Sequence, residues 1–148
     1  MSNIKRNQYI YPALFEENDG DGYTVTFPDL PGCITEGDAE EEAVTNATEA
    51  LGLHLWGMER DHDEIPAPSS LHDIVITTGQ AVVFIRANMR PMRHTMRERA
   101  VRKMVTLPRW LNDAAEEAGV NYSQVLQDGL KELLDVCVPG QEAKKRVG

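Results

Sequence analysis

The constraint that bears hardest on this chain lies in its last third. There Arg102-Lys103-Met104-Val105-Thr106-Leu107-Pro108-Arg109-Trp110-Leu111 joins a short alternating run to a helical one. Val105 and Leu107 fall on one side of an extended chain and Arg102, Met104 and Thr106 on the other, because strand side chains alternate. Pro108 sits where a first-turn proline is tolerated, its missing N–H being an orphan there anyway. The spacing predicts a helix over 108–118, with Leu107, Leu111, Ala114, Ala115 and Ala118 on one stripe. Gly119 reads as the left-handed residue after it, and Asn121 as the N-cap of a second helix from Tyr122 to about Val136. Leu126, Leu130, Leu133, Leu134 and Cys137 form that helix's apolar stripe, and Pro139-Gly140 closes the unit. One strand and two helices in about 35 residues cannot enclose a core, so a second copy has to supply the missing half. Gly129 inside the second helix costs roughly 1 kcal/mol relative to Ala, and close approach of a partner helix is one explanation.

Strand, proline, glycine turn, N-cap and leucine stripe together resemble the ribbon-helix-helix family of DNA-binding dimers. The resemblance implies two paired strands entering the major groove, the groove that distinguishes all four base pairs. It gives the base edges to Arg102, Met104 and Thr106, and the phosphates to backbone N–H groups near Asn121, Tyr122 and Ser123, helped by the helix dipole. The plainer reading is a helical hairpin with a strand lead-in that merely dimerises. Lys103 departs from the pattern by occupying an inward position. Either the register slips, or its stem lies across the core edge with the amine in water.

Charge divides the chain. Residues 1–80 hold three Lys/Arg against sixteen Asp/Glu, a net of −13, and residues 81–148 hold twelve against eight, a net of +4, within a total of −9. Nucleic acid repels the first part and attracts the second, so two different partners are expected. Arg90, Arg93, Arg97, Arg99, Arg102 and Lys103 form a basic link, expected as a solvated flexible tether or as added phosphate contacts beside the ribbon. Cys33 and Cys137 form no CxxC or Cys/His cluster, so neither a zinc site nor a disulfide framework is expected. The sequence shows no bilayer-spanning apolar stretch and no signal-peptide core, which reads as a soluble cytoplasmic protein without membrane association.

In the N-terminal half, Tyr9 to Glu16 and Tyr23 to Phe27 read as a hairpin around the turn signal Asn18-Asp19-Gly20-Asp21-Gly22. A second turn, Pro28-Asp29-Leu30-Pro31-Gly32, leads to a strand over Cys33 to Glu36. Asp38 is expected to N-cap a helix with Glu40, Glu41 and Glu42 in its first turn. Ala39, Ala43, Ala47, Ala50, Leu51, His54, Leu55 and Met58 mark its buried side, and the helix is expected to fade near Gly57. Ile65-Pro66-Ala67-Pro68-Ser69 is a stiff extended loop. A last strand, about Ala81 to Ala87, is apolar enough to sit centrally in a sheet. The order β-β-β-α-β predicts a small α+β domain with one helix across a mostly antiparallel sheet.

Many small motifs then follow in order. They are Tyr11-Pro12-Ala13, Phe15-Glu16, Asp19-Gly20, Gly22-Tyr23, Phe27-Pro28-Asp29-Leu30-Pro31-Gly32-Cys33, Thr35, Gly37-Asp38, Glu41-Glu42-Ala43, Asn46-Ala47, Glu49-Ala50-Leu51 and Ile65-Pro66-Pro68-Ser69. Across about residues 9 to 87 the chain resembles the N-terminal domain of HicB-type antitoxins, with a longer approach to the last strand over His72 to Gly79. The resemblance implies a degenerate ribonuclease H-like α+β domain lacking the catalytic set. It implies an organisation of 1–88 as an acidic toxin-binding domain, 89–99 as basic linker and 100–148 as ribbon-helix-helix module. The implied function is an antitoxin that neutralises a small basic, RNA-cleaving HicA-like toxin and represses its own operon by binding operator DNA. The implied assembly is a homodimer, with a tetramer open.

The residues suggest no catalysis, metal or cofactor. A calcium loop starting at Asp19 fails because its fifth and twelfth positions are Tyr23 and Leu30. Asp61-His62-Asp63-Glu64 reads as a solvated linker, and His54 as a packed or partly exposed histidine. Asp19, Asp29, Glu36 and Asp38 sit in turns and at a helix cap rather than converging from strands as two-metal chemistry requires. The alternative function is a stand-alone ribbon-helix-helix repressor whose N-terminal domain senses a small molecule, which needs a concave apolar pocket there. A metal-dependent nuclease is a third and weaker reading.

Overall fold

The computed structural model describes residues 5–136, in two units divided between Ala100 and Val101. The first unit is built on four strands: β1 (Gln8–Glu17), β2 (Tyr23–Thr26), β3 (Ile34–Gly37) and β4 (Gln80–Asn88). Their order in the sheet is β3-β2-β1-β4, with every neighbouring pair antiparallel. The β1–β2 turn closes through Asn18, whose N–H donates to the Gly22 carbonyl at 2.9 Å. Helix α1 (Glu40–Asp61) lies across one face of the sheet, and α2 (Met89–Glu98) follows β4 directly. The fold class is α+β, as the alternating strand patterns and single long amphipathic helix imply.

The core is the seam between sheet and α1. Tyr11, Ala13 and Phe15 of β1 alternate inward to meet Val25, Ile85 and Ala87 from the neighbouring strands, and Ala43, Ala47, Leu51 and Leu55 from the helix. Small residues let the helix come close. A Cβ built on Gly37 would stand 2.4 Å from the Ala43 nitrogen and 2.6 Å from its Cα, so only glycine leaves room for α1 over the end of β3. Asn46 ties the same junction by donating to the Glu36 carbonyl at 2.8 Å.

Five expectations for this unit are corrected. Asp38 does not cap α1: the N-cap is Ala39, with no side-chain cap, and the Asp38 N–H instead donates to Glu42 Oε2 at 2.8 Å. The helix runs on through Gly57 to Asp61, ending on His62 in the left-handed region at φ 59°. Of its expected buried residues, Ala39 is exposed, and Ala50, His54 and Met58 are only half-buried. β4 is an edge strand rather than a central one, because only β1 pairs with it. Its apolarity reflects two partly buried faces, not two neighbours.

The fifth correction concerns residues 89–99, where Met89–Glu98 form a packed helix capped by Arg99 rather than a flexible tether. Met89 is fully buried, and its N–H donates to the Asn7 carbonyl at 2.8 Å. Arg93 grips Glu59 of α1 through two parallel bonds, Nε to Oε2 at 2.9 Å and Nη2 to Oε1 at 2.6 Å. It also donates to Asn7 Oδ1 and the Arg6 carbonyl. A bidentate charged pair with the Glu59 side chain only 8% exposed is much stronger than a surface pair.

The second unit contains α3 (Arg109–Glu117) and α4 (Tyr122–Leu134), with Gly119 left-handed at φ +65° between them. Pro108 is the N-cap of α3, one position earlier than expected, its carbonyl accepting from Leu111 and Asn112. α4 ends on Asp135 in the left-handed region, two residues short of the expected Val136. The expected strand over 102–107 is not formed: residues 101–108 carry no assigned secondary structure. A strand needs a neighbour to take its N–H and C=O groups, and one copy of this segment has none. Cys137 and Pro139-Gly140 lie outside the described residues.

Replacing Gly37 with Ala should lower the stability of the first unit by about 1–3 kcal/mol, the usual cost of overpacking. Urea titration followed by Trp56 fluorescence measures it. An unchanged midpoint would mean that α1 can lift from β3 at no cost.

Candidate nucleic-acid and partner interfaces

In the second unit the expected site residues are all at the surface. Arg102 and Thr106 are exposed and Met104 is fully so, at 100%. Asn121 caps α4 by accepting from the Gln124 N–H at 3.1 Å. The Tyr122 hydroxyl lies 3.2 Å from the Asn112 carbonyl and 3.1 Å from its Oδ1, which ties α4 to α3. Ser123 is exposed on the first turn of α4. The helix N-terminus thus presents backbone N–H groups of Tyr122 and Ser123, whose nearby dipole end favours an anion.

Among its described residues, the second unit forms no core around its apolar stripe. Neither α3 nor α4 has a buried residue, and Leu111, Leu126, Leu130 and Leu134 are exposed, with Leu133 at 80%. A Cβ on Gly129 would meet nothing within 4 Å. The stripes expected to be buried are therefore exposed among the described residues.

The first unit offers two contrasting surfaces. On the sheet face away from α1, one ladder row runs Ile34, Thr26, Leu14, Val82, and the next pairs Pro12 with Phe84. Ile34 is 60% exposed and Phe84 50%, while Leu14, Thr26 and Val82 are half-buried and Pro12 is buried, so this face is apolar and partly open. Sequence reasoning missed it, although β1 carries apolar residues at both parities, which a one-sided strand does not need. Around the β1–β2 turn and the start of α1, Glu16, Glu17, Asp19, Asp21, Glu36, Asp38, Glu41 and Glu42 are exposed carboxylates.

The acidic candidates do not converge. Asp29 is structural: Oδ2 accepts from the Ser69 N–H at 2.9 Å and Oδ1 from the Ser69 hydroxyl, clamping the 65–69 loop. Tyr11 holds the same loop by donating to the Pro66 carbonyl. Asp61 to Glu64 are exposed at the end of α1. Among the described residues no group of three or more His, Cys, Asp or Glu side chains is gathered to hold a metal. Cys33 is a free, buried thiol that burial pushes up to about 11. The apolar hollow nearest to a ligand pocket is an open groove of about 540 Å³ between α1 and α2, walled by Val44, Leu53, Met92 and Met96. Among the described residues no helix is long and apolar enough to cross a membrane.

Residues 11–128, which begin in β1 and end within α4, match the family model of the HicB-like antitoxin of bacterial toxin–antitoxin systems. The chain belongs to that family. Antitoxin HicB 2 of Photorhabdus laumondii subsp. laumondii is 39% identical to it over 79 residues, 53% of this chain and 51% of the relative. The chain spans about half the length of the curated relatives it matches first. Among solved structures, a toxin–antitoxin complex from Streptococcus pneumoniae has a chain of the same fold at TM-score 0.55 and 24% identity, covering 84% of this chain and 98% of that one. The antitoxin HicB of Burkholderia pseudomallei has a TM-score of 0.51 at 20% identity, over 85% and 98% of the two chains. The HicB-like match takes in all four strands, α1, α2 and α3, so it is not confined to the acidic half.

The Tyr11 clamp gives this HicB-like domain an alkaline limit. Burial, then the neighbouring Tyr9 and Asp29, push the Tyr11 phenol from 10.0 up to about 12. A raised folded pKa means that the fold favours the protonated phenol. Its contribution is complete below pH 10 and is lost as pH rises towards about 12. The melting temperature should fall across that window, and Tyr11→Phe, with no proton to lose, should show a shallower fall. Equal slopes for the two proteins would remove Tyr11 as the cause.

Proposed function

We propose that this chain is an antitoxin of HicB type with two separable activities. Its first unit binds a small basic, RNA-cleaving toxin of HicA type and covers the toxin's RNA-contacting surface. Its second unit forms a ribbon-helix-helix homodimer that binds operator DNA and represses the chain's own operon. The observation that carries the reading is the HicB-like match across both units, joined to a second unit that leaves its whole apolar stripe bare.

Physical chemistry supports each half. A net charge of −13 over residues 1–80 speeds encounter with a basic protein. The open sheet face around Leu14, Val82 and Phe84 adds apolar surface for a protein partner, or for pairing of two dimers into a tetramer. In this reading the first unit is a degenerate ribonuclease H-like scaffold that holds a partner and performs no chemistry. In the second unit, dimerisation pairs residues 102–107 with their counterparts and satisfies the backbone groups that one chain leaves unpaired. Arg102, Met104 and Thr106 then face the base edges, while Asn121, Tyr122 and Ser123 set a helix N-terminus against phosphate. The protein works in the cytoplasm, where operator, toxin and RNA meet.

The deciding experiment is to tag the full chain in its native host and identify what co-purifies stoichiometrically at moderate salt. A small basic protein, toxic alone and silenced by this chain, is the expected partner. A clean homo-oligomer with no partner would count against the antitoxin reading. Arg102→Ala with Thr106→Ala should cost about 1–3 kcal/mol per lost base contact while leaving toxin neutralisation intact. Loss of both activities in a folded variant would overturn the division of labour. Leu130→Asp should turn a sedimenting oligomer towards monomer and abolish DNA binding with it. A parent chain that is already monomeric at working concentration would refute the dimer.

A further inference from the structure

The geometry points to a second phosphate-binding surface, on the first unit, that grips the DNA backbone beside the operator contacts of the second. This inference rests on the operator reading above. The first 80 residues contain only three basic side chains, Lys5, Arg6 and Arg60. All three lie at one end of the unit, beside α2. Lys5 and Arg60 line a groove of about 210 Å³ with Trp56, Glu59, Arg93 and Arg97, and the Arg6 carbonyl accepts from Arg93. Arg90, Arg93, His94 and Arg97 recur at three- and four-residue spacing, so they share one flank of α2. The opposite flank is spent on packing, with Met89 buried and Met92 lying over Gly52.

The groove is built to keep its charge available. Its one carboxylate, Glu59, is taken by the bidentate bond to Arg93. Lys5, Arg60 and Arg97 are exposed, and among the described residues the Arg93–Glu59 pair is the only ion pair. The Arg60 guanidinium stands 5.6 Å from the centre of the half-buried Trp56 ring, a cation–π contact that limits its rotamers before any ligand arrives. The patch has a clear boundary: the adjoining hollow around Lys5, Arg6 and Tyr9 carries Asp63 and Glu64 and adds no net positive charge.

Connectivity selects duplex phosphate as the occupant. Arg102 lies five positions after Arg97, and five extended steps span at most roughly 18 Å. That is about half of the ~34 Å turn of B-DNA. With Arg102 at a base edge, Arg97 therefore stays within reach of phosphates in the same or the adjoining half-turn. Because α2 is a packed helix rather than a tether, its arginines arrive already ordered, which lowers the entropy lost on binding.

The test uses the full chain and two labelled duplexes of equal length, one from the DNA directly upstream of its own gene and one of random sequence. Affinity is measured by anisotropy across a salt series, for the parent and for Arg60→Gln with Arg97→Gln. The double variant should bind both duplexes more weakly by a similar factor, on the order of 10-fold at low salt, and its log–log salt slope should be shallower by about 1.8 per protomer, or about 3.6 for the dimer. Arg60→Lys with Arg97→Lys should recover the slope, and an unchanged thermal melt excludes misfolding. An unchanged slope overturns the proposal. So does a variant that binds duplex normally but loses affinity for a single-stranded RNA oligonucleotide, or one that loses only salt-sensitive self-association. A parent chain that does not prefer its upstream duplex undermines the operator reading instead, while the slope on random duplex still judges the groove.

Discussion

The contact on which the first unit depends is the approach of α1 to the end of β3, where Gly37 lies against Ala43 with no room for a side chain between them. That closeness sets the height of the helix above the sheet. The alanines at 43 and 47 can then touch strands directly, while Leu51 and Leu55 fill the wider space towards the far end. At the other end of the helix Glu59 binds Arg93, so the last turn of α1 anchors α2.

The two units solve the burial problem differently. The first has a helix, a four-stranded sheet and enough apolar residues to bury Tyr11, Val25, Leu51 and Met89 completely. The second has the right elements, with a cap at Asn121 and a left-handed Gly119, but nothing to cover them. Local signals are sufficient to form two helices, because caps, turns and periodicity act within a few residues. They are not sufficient to form a core, which needs more apolar surface than about 35 residues can fold over themselves. A protein with one self-sufficient and one incomplete unit is suited to coupling partner binding with assembly.

Charge is arranged with similar economy. The first unit is strongly acidic as a whole, yet its few cations are gathered beside α2 rather than spread through the carboxylates. Pairing within the unit would have consumed them; only Arg93 is consumed, by Glu59. Exposed carboxylates cluster near the β1–β2 turn and the start of α1, where the positive end of the helix dipole favours them.

By itself the sequence determined the strands β1 to β4 and the helices α1, α3 and α4, the α+β class, the division into an acidic and a basic part, the capping of α4 by Asn121 and the family. These follow from alternation, helical spacing and ordered short motifs, all of which are local. Tertiary structure decided what local rules cannot reach. β4 became an edge strand because its pairing partner is chosen by topology, not by its own apolarity. Residues 89–98 became a helix because Arg93 found Glu59 and Met89 found the core, contacts between positions more than thirty residues apart. The segment over 101–108 stayed without a strand because a ladder needs a second strand beside it, and no described residue supplies one.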